Sequence, residues 1–193
     1  MRFCTLFVFL LALTGLALPV FCSAQDQHDR RFEAGAQFSL VNLTWVNEYP
    51  GGLGGRFSYD LAHWNQFILA PEIEANYFPQ NRLGHFGQTE MLAGIKTGIR
   101  AGRICLFAKV RPGLMHFSGR QFETFHLGPS TNFALDMGGV FEYYTNSGIF
   151  FRIDMGDTVV YAPEPFFRSL PPFPGSTGNF HGLQTSLGMG FRF

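Results

Sequence analysis

Three residues close together in the sequence, His116, Ser118 and Glu123, are of the types that perform nucleophilic chemistry. A serine hydroxyl, an imidazole base and an acid that orients the base make an ester-hydrolysing set. A His-x-Ser tripeptide is a weak signal, however, and Glu123 falls in a loop. A histidine at a strand end and a serine that opens a loop account for the same letters. The six histidines, His28, His63, His85, His116, His126 and His181, are scattered without ligand spacing, so no metal site is expected. His85 and His126 read as solvated loop residues. No glycine-rich cradle follows a strand into a helix, so no phosphate-bearing cofactor is expected either. The expectation is a protein without a catalytic, cofactor or metal site.

The remaining chemistry lies in the charges. The chain has 14 basic and 14 acidic residues, a formal net charge of zero, and so no electrostatic footprint for nucleic acid or anionic lipid. Charged residues make up 15%, against roughly 25% in ordinary soluble domains, while aromatics reach 17% with 24 Phe. In Phe32-Glu33-Ala34-Gly35-Ala36-Gln37-Phe38-Ser39-Leu40 and in Arg56-Phe57-Ser58-Tyr59-Asp60-Leu61 the residue types alternate with period two, the mark of a half-buried strand. Glu33, Arg56, Asp60, Glu72, Glu74, Glu90, Lys96, Arg100, Lys109, Arg111, Asp136, Glu142, Arg152, Asp154 and Arg192 all fall on one face. The opposite face is uncharged.

The elements that must place these ions are strands. Eight are predicted: Phe32 to Leu40, Arg56 to Leu61, Leu69 to Tyr77, Glu90 to Ala101, Ile104 to Leu114, Asn132 to Tyr144, Ile149 to Met155, and His181 to Phe193. Their connections alternate. His63 to Gln66, Gly102-Arg103 and Thr145 to Gly148 are tight turns. Asn42 to Gly54, Phe78 to Gln88, Phe117 to Ser130 and Asp157 to Phe180 are long. Short turns at one end and long loops at the other are the pattern of an outer-membrane barrel. Before the strands, Met1-Arg2, the apolar run Phe3 to Val20 and Cys22-Ser23-Ala24 read as a signal peptide over 1–24, cleaved after Ala24. A short periplasmic tail at 25–30 and a barrel over 31–193 would remain. Cys105 is then the single cysteine of the mature chain and closes no internal disulfide.

Two closed folds compete for such strands. A soluble lipocalin-like carrier puts its apolar face inside, whereas a membrane barrel puts it outside. The uncharged face is bulky, with Leu69, Ile73, Ile95, Ile99, Leu106, Val110, Phe141, Phe151 and Ile153. The charged face interleaves its ions with Gly35, Gly94, Gly98, Gly113, Gly138, Gly182, Gly188 and Gly190, which leave room for long side chains in a narrow cylinder. Buried ions need partners of opposite sign, and that face carries eight acids against seven bases. The expected fold is therefore all-β, an eight-stranded antiparallel up-and-down transmembrane β-barrel. Its lumen would hold an ion network of Arg56, Glu72, Glu74, Lys96, Arg100, Lys109, Arg111, Asp136, Glu142, Arg152 and Asp154. Aromatic girdles are expected from Phe32, Trp64, Phe67, Tyr143 and Phe193 at the turn end, and from Trp45, Tyr59, Tyr77, Phe117 and Phe133 at the loop end. Pro71 and Pro112, within strands, predict bulges. The stretch Ala162 to Pro174, stiffened by prolines, reads as a cap over the mouth or as a contact for a surface partner.

The carboxyl end, Leu183 to Phe193, is apolar at every second position, with Leu187, Met189, Phe191 and the terminal Phe193. It resembles the assembly signal that the barrel-insertion machinery of bacterial outer membranes recognises. With Gly54-Gly55-Arg56-Phe57-Ser58-Tyr59, Lys109-Val110-Arg111-Pro112-Gly113 and the final Gly-Phe-Arg-Phe, the region from Arg31 to Phe193 resembles the OmpA-like outer-membrane β-barrel domain family, in its form without a peptidoglycan-binding domain. The resemblance implies an outer membrane of the Gram-negative type, a surrounding of outer-membrane lipid, assembly by the insertion machinery, and a structural or surface-interaction role. The pair His116 and Ser118 also resembles the His and Ser of eight-stranded lipid A deacylases, although the flanking sequence departs from that family. A lipid A-modifying hydrolase is the alternative this implies.

Overall fold

The computed structural model describes residues 30–43, 49–79, 87–118, 120–121, 126–127, 129–161 and 179–193. Eleven strands follow in order: β1 Phe32–Leu43, β2 Gly51–Tyr59, β3 Ala62–Trp64, β4 Phe67–Phe78, β5 Gln88–Ala101, β6 Ile104–Phe117, β7 Arg120–Gln121, β8 His126–Leu127, β9 Ser130–Tyr144, β10 Ile149–Tyr161 and β11 Asn179–Arg192. Strands β2, β1, β11, β10, β9, β6, β5 and β4 pair in that order, and β2 pairs with β4 to close the cylinder. Every pairing is antiparallel. The eight-stranded all-β barrel read from the sequence is the observed fold. The expected signal peptide, Trp45, His85, Glu123 and the stretch 162–174 lie outside the described residues.

The strands are tilted. A walk from ladder partner to ladder partner runs from Glu33 through Ser58, Glu72, Gly94, Arg111, Asp136, Thr158 and Gly182, and returns to β1 at Leu43, ten residues further on. With a rise of about 3.3 Å per residue and strands about 4.8 Å apart, that stagger sets a tilt of about 40° and a backbone radius of about 8 Å. Side chains alone fill such a cylinder.

The turns take the residues that their geometry demands. Asn65, Gly102 and Gly148 have φ of 55°, 63° and 83°, the left-handed region that Gly and Asn tolerate best. At the seam, Phe32 N–H donates to Phe193 O at 2.9 Å and Phe193 N–H to Phe32 O at 2.8 Å. Their rings stack at 6.0 Å.

Several strands run longer than the sequence suggested. β2 begins at Gly51 rather than Arg56, because Gly51, Gly52, Gly54 and Gly55 carry no side chains whose alternation could be read. β10 continues to Tyr161, although Thr158, Val159 and Val160 are all buried and break the alternation. Within this extension Asp157 faces outward and pairs with His181 at 2.8 Å, so the outer face does carry one charge at the loop-end rim. β7 and β8 form a two-stranded hairpin within what read as a loop.

Only one of the two prolines sits at a shift in register. Between Ser58↔Glu72 and Ala62↔Leu69 the β2–β3 side holds one residue more than the side with Ala70 and Pro71. Opposite Pro112 the β5–β6 ladder runs from Leu92↔Gly113 to Ile95↔Val110 without a shift, so no bulge forms there.

The faces are inverted relative to a soluble protein. Ile73, Ile95, Ile99, Leu106, Val110, Leu114, Phe151, Ile153 and Leu187 are exposed on the outside, whereas Lys96, Lys109, Arg111, Glu142 and Arg152 are buried. No soluble carrier is built this way, because the apolar wall would face water. In hydrocarbon the same wall is satisfied, and the closed ladder leaves no backbone edge. The chain is a membrane β-barrel.

Candidate functional site

The lumen is the site with the densest chemistry, and the ladder register explains how it assembles. Glu72 on β4 is level with Gly94 on β5, which lies in frame with Arg111 on β6, itself level with Asp136 on β9. Because Gly94 has no side chain, Arg111 lies across it and donates to Glu72 at 2.8 Å and Glu74 at 2.5 Å. On its other side Arg111 grips Asp136 Oδ2 through Nε and Nη2, at 2.8 and 2.6 Å. A Cβ at Gly94 would stand 2.1 Å from Val110 O, 2.6 Å from Arg111 Cα and 3.0 Å from its Cγ.

Arg152 on β10 is the second hub. It donates to both oxygens of Glu72 at 2.5 and 2.8 Å, to Glu142 at 3.0 Å and to Asp154 at 2.6 Å. Lys109 lies 2.7 Å from Asp136 and also contacts Asp154. Lys96 joins Glu33 and Glu142, both at 2.8 Å. Tyr144 Oη lies 2.5 Å from each of the same two carboxylates and donates its one proton to either. Planar guanidinium forks satisfy several carboxylate oxygens at once, which is what makes such burial tolerable.

Two expected members stand apart. Arg56 donates to Gln37 at 2.9 Å and lies 5.7 Å over the Phe150 ring. Arg100 donates to Cys105 Sγ at 3.1 Å and lies 4.7 Å over Tyr144. Neither makes an ion pair among the described residues, because each points toward the apolar, aromatic part of the lumen rather than its ionic centre. Conversely, Glu33 belongs to the network through Lys96, and Arg192 binds Asp60 at the turn end.

The charged face also holds apolar clusters, which the sequence reading did not single out. Ile68, Cys105, Phe107, Val140, Tyr144 and Phe150 pack at the turn end. Leu92, Met115, Phe117, Ala134 and Val160 pack at the loop end. The ions thus sit between two dry layers. Parity along β6 already puts Phe107, Met115 and Phe117 on the side of Lys109 and Arg111, and that signal was available. It removes Phe117 from the outer girdle. Tyr59 changes ends, because β2 runs toward the turns; its ring lies 4.9 Å from Phe32. Phe133 and Tyr161, 5.6 Å apart, face outward at the loop end with Tyr77.

The glycines divide into two kinds. A Cβ at Gly94, Gly98, Gly113 or Gly138 would strike the neighbouring strand's backbone, so these allow close strand approach, and at Gly94 that approach also brings Arg111 across to Glu72. Gly156, which the sequence reading passed over, does make ion space: a Cβ there would lie 2.5 Å from Asp136 Oδ1 and 3.0 Å from Lys109 Nζ.

Glu72, Glu74 and Asp154 bring carboxylate oxygens within 4.8 Å of one another, the spacing of a metal site. Arg111, Arg152 and Lys109 already neutralise them. Leu187 and Met189 on β11, and Phe193 just past its end, are exposed on the outer wall, and Phe191 is half-buried. Of the hydrolytic set, His116 Nδ1 bonds Thr131 Oγ1 at 2.8 Å, Ser118 Oγ has no hydrogen-bond partner among the described residues, and Glu123 lies outside them.

No protein-family model matches the chain, and no curated protein matches it. Solved structures do. The N-terminal β-barrel domain of Pseudomonas aeruginosa OprF aligns at 12% identity with a TM-score of 0.52, covering 83% of this chain and 97% of that one. Ail, the attachment invasion locus protein of Yersinia pestis, aligns at 14% identity and a TM-score of 0.50, covering 84% and 97%. The outer membrane enzyme PagL aligns at 15% identity, covering 83% and 99%, with a TM-score of 0.47 that carries no argument about chemistry. At these identities the likeness is one of fold, and the fold shared is the closed eight-stranded membrane barrel.

Proposed function

We propose that the protein is a non-conducting barrel of a Gram-negative-type outer membrane, of the OmpA-like kind, serving a structural or surface-interaction role and performing no catalysis. The observation that carries this reading is the filled lumen. A diffusion pore needs a continuous wet path, whereas here Glu72, Lys96, Arg111, Asp136, Glu142 and Arg152 are each at most 2% exposed. Apolar clusters flank them at both ends. Outer-membrane placement is supported by the apolar wall and by the eight-stranded barrel fold that the chain shares with the OprF domain and Ail. Outer-membrane lipid, and the insertion machinery during assembly, are the partners this reading requires. The rigid plugged cylinder then serves to hold the loop-end connections at the cell surface, where a partner would bind.

The test is solute flux through vesicles that contain the purified barrel. No swelling in small sugars and no unitary conductance in planar bilayers are expected. A steady conductance abolished by occluding the mouth would overturn the plugged reading.

A further inference from the structure

The outer wall is not uniformly bulky. Across β2, β4, β5 and β6 it is indented by an apolar groove of about 630 Å³. Gly55, Ala75 and Ala93 form the floor, and Phe57, Met91 and Leu114 stand around it. The register makes this one feature. Gly55, Ala75, Met91 and Leu114 are successive ladder partners, and two residues below them Phe57, Ile73 and Ala93 follow in the same way. Pro112, level with Ala93, withholds a ladder donor at the floor.

Two residues toward the loop end, about 7 Å along the strands, the next outward row reads Tyr77, Thr89, His116 and Thr131. This polar row adjoins the groove directly. His116 Nδ1 is held by Thr131 Oγ1. When that hydroxyl donates, Nε2 carries the ring proton and presents it to the outside. A slot for hydrocarbon lined up with hydrogen-bond donors at the interface matches one amphiphile.

We propose that this groove is a binding site for a single phosphate-bearing lipid of the loop-end leaflet. One acyl chain lies over Gly55, Ala75 and Ala93, and its phosphate or ester oxygens accept hydrogen bonds from His116 Nε2 and Thr89, while Thr131 holds the His116 ring. The membrane surrounding dictates the class of occupant, because nothing but lipid or another chain reaches this depth. The adjoining polar row favours lipid over a second copy, which would bring its own apolar wall against those donors.

The test is native mass spectrometry of the barrel extracted from membranes, stripped in detergent and re-exposed to dioleoyl phosphatidylglycerol. One retained lipid per barrel is expected. Ala75→Leu with Ala93→Leu should lower retention at least tenfold, and His116→Ala severalfold, while Ala108→Leu, an enlargement on the outer wall away from the groove, leaves it unchanged. Heat-dependent gel mobility checks that each variant is folded. Retention unaffected by filling the groove, or a doubled barrel mass in place of lipid, would overturn the proposal. Equal retention of dioleoylglycerol, which has no phosphate, would overturn the assignment of the headgroup contacts.

Discussion

Arg152 binds both carboxylate oxygens of Glu72, Nη1 to Oε2 at 2.5 Å and Nη2 to Oε1 at 2.8 Å, across the full width of the barrel. Their strands, β10 and β4, are four places apart in either direction around the eight-strand ring, so this pair is a strut across its diameter. Glu142 and Asp154 brace its arginine end, and Arg111 and Lys96 its glutamate end.

Removing one partner from such a strut leaves uncompensated buried charge, which costs about 3–5 kcal/mol. Arg152→Leu is expected to destabilise the barrel by that order, and Arg152→Lys by less, since an ammonium keeps the charge although it cannot fork across two oxygens. Arg111→Leu should resemble Arg152→Leu, because it strands Glu74 and leaves Asp136 with Lys109 alone. Urea titration of reversible folding into lipid vesicles reads each value, and an Arg152→Leu barrel as stable as the parent would contradict the strut.

Gly94 lets Arg111 reach Glu72. Gly94→Ala should cost about 1–3 kcal/mol, as overpacking of a tight interior does, since the added methyl meets the β6 backbone at Val110 O and Arg111 Cα, and then the Arg111 side chain. Gly55→Ala, on the outer wall with its nearest neighbour at 3.6 Å, should fall near zero. The same urea titration separates the two.

The outer wall is tested by charge. Ile153, outward-facing at mid-strand on β10, is expected to lose about 2–4 kcal/mol as Ile153→Arg, the cost of an arginine near the bilayer midplane. The same arginine at His181, beside the rim acid Asp157, should cost under about 1 kcal/mol. Equal costs at both positions would argue against a bilayer around this wall.

Catalysis has a separate check. Membranes with and without the protein should show the same lipid A acylation by mass spectrometry, and Ser118→Ala should change nothing. Loss of an acyl chain that depends on Ser118 would establish a hydrolase.

The barrel was legible because one strand face carries the ions, so Glu72, Glu74, Lys109 and Arg111 mark parity without any knowledge of packing. Strand ends were not legible where that marker fails, as in Gly51 to Gly55 and at Val159-Val160. The membership of the lumen could be read, but its pairings could not. Arg152 meets Glu72 across a separation of 80 residues, a contact fixed by the ten-residue stagger, which no local pattern encodes. Arg56 and Arg100 show the limit from the other side: parity places them inside, yet depth sets them over Phe150 and Tyr144 rather than beside a carboxylate. The outer groove was invisible, because Gly55, Ala75 and Ala93 become neighbours only through the register.

Nitroxide scanning along β6 tests the central arrangement most directly. In a Cys105→Ala background, single labels are placed from Leu106 to Leu114 on the protein in lipid vesicles. The account predicts that collision with oxygen alternates with period two: high at 106, 108, 110 and 114, and low at 107, 109 and 111, with no access for a water-soluble nickel reagent at the high positions. Nickel access at Leu106 and Val110, or an alternation of opposite phase, would contradict an ion-filled barrel with its apolar wall in the membrane.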